Sequence, residues 1–179
     1  MFEEVEVTVG TPSQARHWNW VDIDNDGDAD GCLITAEGYV ELYEQTSDME
    51  FELVTETGII NTTEEGYSNS WGDINGDGYL DCYIAVYEML MDEYNERNYL
   101  YLNNGDWTFT EMGDTNPAND GCNMSFMGTF MDYDNDNDPD IFVNNDRIVS
   151  FNHLYRNDGG TFTDVSADAG IEEGFYAMS

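Results

Sequence analysis

Three segments of this chain repeat one pattern of oxygen-bearing side chains. We name them loop 1 (22–30, DIDNDGDAD), loop 2 (73–81, DINGDGYLD) and loop 3 (132–140, DYDNDNDPD). Each has aspartate or asparagine at positions 1, 3 and 5, glycine or asparagine at position 6, and aspartate at position 9. Carboxylate, amide and carbonyl oxygens are the ligands that a hard cation such as Ca²⁺ prefers. The spacing therefore predicts three loops that each wrap around one cation.

The predicted ligands of each loop are the side chains at positions 1, 3, 5 and 9 and the backbone carbonyl at position 7. In chain order they are Asp22, Asp24, Asp26, Asp28 and Asp30 in loop 1; Asp73, Asn75, Asp77, Tyr79 and Asp81 in loop 2; and Asp132, Asp134, Asp136, Asp138 and Asp140 in loop 3. Position 6 must adopt a positive φ, which Gly27 and Gly78 do freely and Asn137 tolerates best among the other residue types.

Electrostatics favour a bound divalent ion in these loops. Two carboxylates ~4 Å apart repel by about 4 kcal/mol at an effective dielectric near 20, so several such pairs oppose folding unless a cation neutralises them. Calcium suits an irregular cage of oxygens, whereas magnesium demands stricter octahedral geometry and zinc or copper favours His or Cys. An EF-hand is excluded, because its bidentate glutamate at position 12 is replaced here by Leu33, Ile84 and Val143.

The similarity between the three segments extends beyond the acidic loops. A large aromatic residue stands two positions before each loop, a short apolar run follows it, and a Leu-Tyr pair and a phenylalanine come later in the same order. The predicted repeat units cover approximately 11–56, 59–113 and 118–166. Four short strands in a unit of roughly 50 residues are typical of a β-propeller blade.

The sequence thus predicts an all-β fold, a partial β-propeller of about three blades in one domain spanning 1–179. Segment 1–9 is predicted to be the last strand of a preceding blade, and segment 174–179 the first strand of a following one. Because propellers usually close with at least four blades, we expect further blades of the same polypeptide or of an oligomer to complete the ring.

Composition excludes several classes of partner. The chain has 39 acidic residues against four Lys and Arg, a formal net charge of −35. Nucleic acid is excluded because its phosphates require a basic surface. Membrane insertion is excluded because no segment approaches the ~18 apolar residues of a spanning helix. Cys32 and Cys82 lie in apolar runs and are predicted to be buried thiols, while a disulfide involving Cys122 stays open.

The combined motifs resemble the FG-GAP/VCBS repeat family, in particular the blades that precede ASPIC/UnbV domains. The resemblance rests on the acidic loops, on an Asn-x-Leu-Tyr-x-Asn strand at 98–103 and 152–157, and on TFTDVSADAGI at 161–171. It implies calcium-stabilised blades of a secreted or cell-surface propeller of the integrin α-subunit type.

The first hypothesis for function is a non-enzymatic, calcium-binding propeller segment that serves extracellular adhesion by contacting an unknown protein or glycan. The two histidines, His17 and His153, stand in no recognisable nucleophile motif. The alternatives are an accessory part of a polysaccharide lyase or hydrolase, and a lectin that holds sugars on aromatic residues such as Trp18 or Trp107. Segment 87–98 lengthens the second unit and is either a partner-binding loop or a loop packed on its neighbour.

Overall fold

The computed structural model describes residues 15–59, 66–87, 97–113, 115–119, 125–145 and 151–171. The predicted terminal strands 1–9 and 174–179, most of the 87–98 insert and Cys122 lie outside these ranges. Within them the chain forms strands β1 to β12 and one short 3-10 helix, Pro117–Asn119, and no helix is long and apolar enough to cross a membrane.

The twelve strands form three four-stranded sheets, which we call blades. Blade 1 contains β1 (Ala15–Val21), β2 (Asp30–Thr35), β3 (Val40–Ser47) and β4 (Glu50–Val54). Blade 2 contains β5 (Gly66–Gly72), β6 (Asp81–Val86), β7 (Tyr99–Asn103) and β8 (Phe109–Glu111). Blade 3 contains β9 (Ser125–Met131), β10 (Asp140–Asn145), β11 (His153–Asn157) and β12 (Phe162–Asp164).

Each blade is an antiparallel meander in which every strand pairs with the next one along the chain. The all-β prediction and the four-strand unit are therefore confirmed, and each set of four strands falls inside one predicted unit. Short turns join the strands because glycines supply the positive φ that tight hairpins need: Gly38 has φ 89° and Gly105 has φ 76°.

The blades stack in chain order, with the first strands next to one another: β5 contacts both β1 and β9. Alternation along the second strands sends successive side chains to opposite faces. Cys32 and Ile34 meet Cys82 and Ile84 in the core between blades 1 and 2. Tyr83 and Ala85 point the other way, into the core between blades 2 and 3. Cys32 and Cys82 are fully buried free thiols, as predicted.

Aromatic rings pack directly against glycines where blades 2 and 3 meet. The Tyr83 ring of β6 is 0% exposed, and its hydroxyl donates to the Ala118 carbonyl at 3.1 Å. It lies directly against Gly128 of β9, where an added Cβ would overlap the ring. A second glycine, Gly72, receives the Phe130 ring in the same way, with 2.7 Å between its virtual Cβ and the ring. The two blades approach closely because these glycines leave room for the rings.

Gly128→Ala should lower the free energy of unfolding by about 1–3 kcal/mol, the usual cost of overpacking a core. The Tyr83 ring cannot give way without losing its hydroxyl bond to Ala118. Urea denaturation followed by circular dichroism measures the change. Thr129→Ala, at the exposed next position of the same strand, should shift stability by less than about 0.5 kcal/mol. Equal effects of the two substitutions would contradict the packing argument.

Candidate metal centre

Each acidic loop connects the first and second strands of a blade. The hairpin pairs that close the loops are Val21 with Asp30, Gly72 with Asp81, and Met131 with Asp140. Position 9 of every loop is therefore the first residue of a second strand. The three loops come to the same end of their blades because each follows the corresponding strand.

The backbone of each loop turns through two left-handed residues. Position 6 has φ 98° at Gly27, 93° at Gly78 and 77° at Asn137, which confirms the conformation predicted there. Position 4 is also left-handed, with φ 67° at Asn25, 73° at Gly76 and 64° at Asn135. Sequence reasoning missed position 4, although asparagine or glycine occupies it in all three loops and these residues adopt that conformation most easily.

The side chains at positions 1 and 5 fold back onto the loop backbone. The position-1 carboxylate accepts the N–H of position 6, at 3.2 Å for Asp22 and Gly27 and 3.0 Å for Asp73 and Gly78. The third loop repeats this bond at 3.2 Å. Position 5 accepts the N–H of position 7 in all three loops, at 2.9–3.0 Å. These bonds hold the carboxylates over the centre of the turn.

Two aspartate triplets come together with the geometry of a shared cation. One carboxylate oxygen from each of Asp22, Asp24 and Asp26 lies within 4.8 Å of the other two, and Asp132, Asp134 and Asp136 form an equivalent group. Oxygens bound to one calcium at 2.3–2.6 Å can be at most about 5 Å apart, so the spacing fits a single ion. Asp22 Oδ1 is also buried without a hydrogen-bond partner in the part of the chain that the structure describes. Each triplet could hold a metal ion.

Loop 2 differs because its position 3 is an amide. Asn75 Oδ1 accepts the Asp77 N–H at 2.9 Å, and Asn75 Nδ2 donates to Asp77 Oδ2 at 2.9 Å. The amide thus satisfies one carboxylate oxygen that an ion would otherwise neutralise. This loop carries less repulsion and less negative charge than loops 1 and 3.

The position-9 aspartates are buried and bonded to backbone on both oxygens. Asp30 accepts from the Ile23 and Gln45 N–H groups, each at 2.9 Å. Asp81 accepts from Ile74 at 2.9 Å and from Asn103 at 2.8 Å. Asp140 makes the corresponding pair of bonds at 2.8 Å each. These residues join the loop to the third strand of the blade, a function that spacing alone did not indicate, and their ligation of a metal stays a prediction.

A family model described as an FG-GAP-like repeat matches the chain twice, over residues 22–84 and 86–143, together more than half of its length. The chain belongs to the FG-GAP-like repeat family. No curated protein matches it. The first match begins at loop 1 and ends in β6, and the second begins at the end of β6 and ends in β10. The acidic loops therefore lie inside the matched FG-GAP-like repeats.

Neighbouring FG-GAP-like blades also contact each other at the loops. Asn103 Nδ2, at the end of β7, donates to the Ile23 carbonyl of loop 1 at 2.8 Å, and Asn157 Nδ2 donates to the Ile74 carbonyl of loop 2 at 2.8 Å. Sequence reasoning noted these asparagines only as part of the family motif. Their repeated position after the Leu-Tyr pair was the available signal.

Burial raises the pKa of several loop carboxylates in these FG-GAP-like blades. Desolvation raises the pKa of Asp30 and of Asp81 to about 6, although two backbone N–H donors at each oppose the shift. The pKa of Asp24 is raised by burial and then by the Asp26 charge. The pKa of Asp134 is raised by desolvation and by the Asp136 charge. Without a cation, these loops are under electrostatic strain at neutral pH.

The raised pKa of Asp81 predicts how the stability of the calcium-free protein depends on pH. The folded-state pKa of about 6 lies above the ordinary value of 3.8, so the folded protein binds a proton at Asp81 more tightly than the unfolded chain does. The contribution of Asp81 to the free energy of unfolding is therefore complete below pH 4 and is lost as pH rises through 6. In chelator, the melting temperature should fall between pH 4 and 7. Asp81→Asn should lower it at every pH, since the amide accepts only one of the two N–H groups, and should make the fall shallower. Asp48→Asn, at an exposed turn, should leave the wild-type slope.

Proposed function

We propose that this segment is a non-enzymatic, calcium-stabilised part of a β-propeller that serves extracellular adhesion through a protein or glycan partner. The observation that carries the calcium assignment is the convergence of three carboxylate oxygens within 4.8 Å in loops 1 and 3. An all-oxygen donor set in an irregular loop suits calcium better than magnesium or zinc. The orphaned Asp22 Oδ1 supplies a buried acceptor that a cation would satisfy.

Calcium acts structurally in this proposal. The ion neutralises the carboxylates at positions 1, 3 and 5 and so removes the repulsion that opposes closure of the first hairpin of each blade. The residues that would hold the three ions are the fifteen predicted from the loop spacing, five in each loop. Position 9 contributes in addition by holding the loop against the third strand.

The surroundings of the two histidines support a non-enzymatic role. His17 Nδ1 accepts the Asn69 N–H at 3.3 Å, and burial lowers the pKa of His17. His153 Nδ1 lies 3.3 Å from Asp164 Oδ2, and the Ser166 hydroxyl donates to Asp164 Oδ1. Neither contact activates a nucleophile, because activation requires a hydroxyl or thiol bonded directly to the base.

An extracellular location follows from the same proposal. FG-GAP repeats are typical of extracellular proteins, and the match of this chain to the FG-GAP-like repeat supports that location. Extracellular calcium modules bind at about 10⁻⁴–10⁻³ M, which is the range expected for loops whose ligands are as exposed as Asp26 and Asp136. The net charge of −35 favours partners with a basic or neutral surface.

Removing calcium should lower the melting temperature by about 8–16 °C. At calcium tenfold above Kd each site contributes about 1.4 kcal/mol, so three sites give about 4 kcal/mol, and 1 kcal/mol shifts the melting temperature of a domain this size by about 2–4 °C. Differential scanning calorimetry with EDTA and then with excess Ca²⁺ measures the shift. Asp24→Asn with Asp134→Asn should remove about two thirds of it, and the exposed Asp168→Asn should remove none. An unchanged melting temperature in EDTA would refute the calcium assignment.

Asn75→Asp should have opposite effects with and without calcium. The substitution removes the 2.9 Å amide bond to Asp77 and adds repulsion, so the melting temperature in EDTA should fall. A carboxylate at position 3, in addition to those at positions 1, 5 and 9, should tighten calcium binding at loop 2, so the shift in melting temperature caused by calcium should grow. Thermal melts in both buffers test this. Asn104→Asp, at an exposed turn, is the matched control and should not enlarge the calcium shift. A smaller calcium shift for Asn75→Asp would contradict the ligand assignment.

A further inference from the structure

Loops 1 and 2 are joined by hydrogen bonds that cross the interface between blades 1 and 2. In loop 1, Asp30 Oδ2 accepts the Ile23 N–H at 2.9 Å, and the Ile23 carbonyl accepts from Asn103 Nδ2 at 2.8 Å. The Asn103 N–H then donates to Asp81 Oδ1 of loop 2 at 2.8 Å. The same Asn103 amide reaches the Leu80 carbonyl, at position 8 of loop 2, at 3.2 Å. One asparagine therefore touches both loops.

The same connection repeats between loops 2 and 3. Asp81 Oδ2 accepts the Ile74 N–H at 2.9 Å, and the Ile74 carbonyl accepts from Asn157 Nδ2 at 2.8 Å. The Asn157 N–H donates to Asp140 Oδ1 at 2.8 Å, and Asp140 Oδ2 accepts the Tyr133 N–H at 2.8 Å. The three loops are thus linked by a single chain of hydrogen bonds through two asparagines.

Both asparagines are held rigidly. Asn103 is 3% exposed and Asn157 is 0% exposed, so water does not compete for their bonds. Their side-chain oxygens are occupied as well: Asn103 Oδ1 accepts the Gly105 N–H at 2.9 Å and Asn157 Oδ1 accepts the Gly160 N–H at 2.7 Å. A buried amide with every group engaged transmits a displacement of its partner instead of absorbing it, because each lost bond leaves an unsatisfied buried group.

We propose that cation binding at the three loops is positively coupled through Asn103 and Asn157. The inference rests on the proposed calcium function and concerns the regulation of those sites. The residue whose carbonyl accepts from each asparagine, Ile23 or Ile74, lies between the predicted ligands at positions 1 and 3. An ion at loop 1 or 2 therefore fixes the position of that carbonyl, and the rigid asparagine bonded to it passes this constraint to the position-9 aspartate of the next loop. The next ion binds a loop that is already partly ordered, and so binds more tightly.

Long-range electrostatics act in the opposite direction. Each bound cation reduces the negative potential that attracts the next one, although ions beyond the ~8 Å Debye length at physiological salt are largely screened. Replacing a neutral asparagine leaves this effect unchanged. A comparison between backgrounds that differ only at Asn103 and Asn157 therefore isolates the hydrogen-bond pathway.

The experiment is a double-mutant cycle measured by isothermal calorimetry with CaCl₂ at 0.15 M NaCl. Loop 2 is disabled by Asp73→Ala with Asp77→Ala, in the wild-type chain and in a chain carrying Asn103→Ala with Asn157→Ala. In the wild-type background, disabling loop 2 should weaken binding at loops 1 and 3 about fivefold, the lower end of typical allosteric couplings. In the asparagine-free background it should leave the affinities of loops 1 and 3 unchanged.

Controls separate coupling from general weakening of the blade interface. Asn19→Ala removes an interblade bond of similar length, from Asn19 Nδ2 to the Asn69 carbonyl at 3.0 Å, and should retain the fivefold effect. If the double asparagine variant does not fold by circular dichroism, Asn157→Ala alone tests the link between loops 2 and 3.

The coupling would be overturned if disabling loop 2 did not change the calcium affinities of loops 1 and 3 in the wild type, or changed them equally in both backgrounds. Calcium binding itself would then remain supported. No calcium heat in the wild-type chain would instead refute the proposed function and the coupling with it.

Discussion

The fold depends on a buried aspartate at the end of each acidic loop. Asp30, Asp81 and Asp140 each accept one N–H from their own loop and one from the third strand of the blade. A buried carboxylate is tolerated only when its oxygens are paired, because desolvation of an unpaired charge is costly. These bonds set where the loop closes, and hence where positions 1, 3 and 5 converge. The acidic loops and the blade framework are therefore one unit.

Blade packing imposes a second constraint, on residue size. Tyr83 fills the space left by Gly128, and Phe130 fills that left by Gly72. One face of blade 1 is not covered by any blade that the structure describes. On this face Trp18 lies over Gly31 and stacks on Tyr43, with 5.7 Å between the ring centroids. Trp20 remains 49% exposed. The corresponding aromatic residues of the other blades, Trp71 and Phe130, pack into interblade cores.

The acidity of the chain has different consequences at different sites. On the surface, acidic side chains are solvated and govern solubility and choice of partner. In the loops they are held together by backbone bonds, and burial there raises the pKa of Asp24, Asp30 and Asp81. Only this second group creates strain that a cation relieves. A count of acidic residues does not distinguish the two groups, whereas their repeated spacing does.

The sequence by itself determined the all-β class, the four-strand unit, the three loops and the left-handed position 6. These are local properties: alternation, turn residues and ligand spacing act over ten residues or fewer. Tertiary structure alone decided that Asp81 bonds to Asn103 and that Asn103 reaches Ile23, because those contacts join residues 22 and 80 positions apart. The pairing of Tyr83 with Gly128 was likewise invisible in the sequence, since it depends on how closely two blades approach.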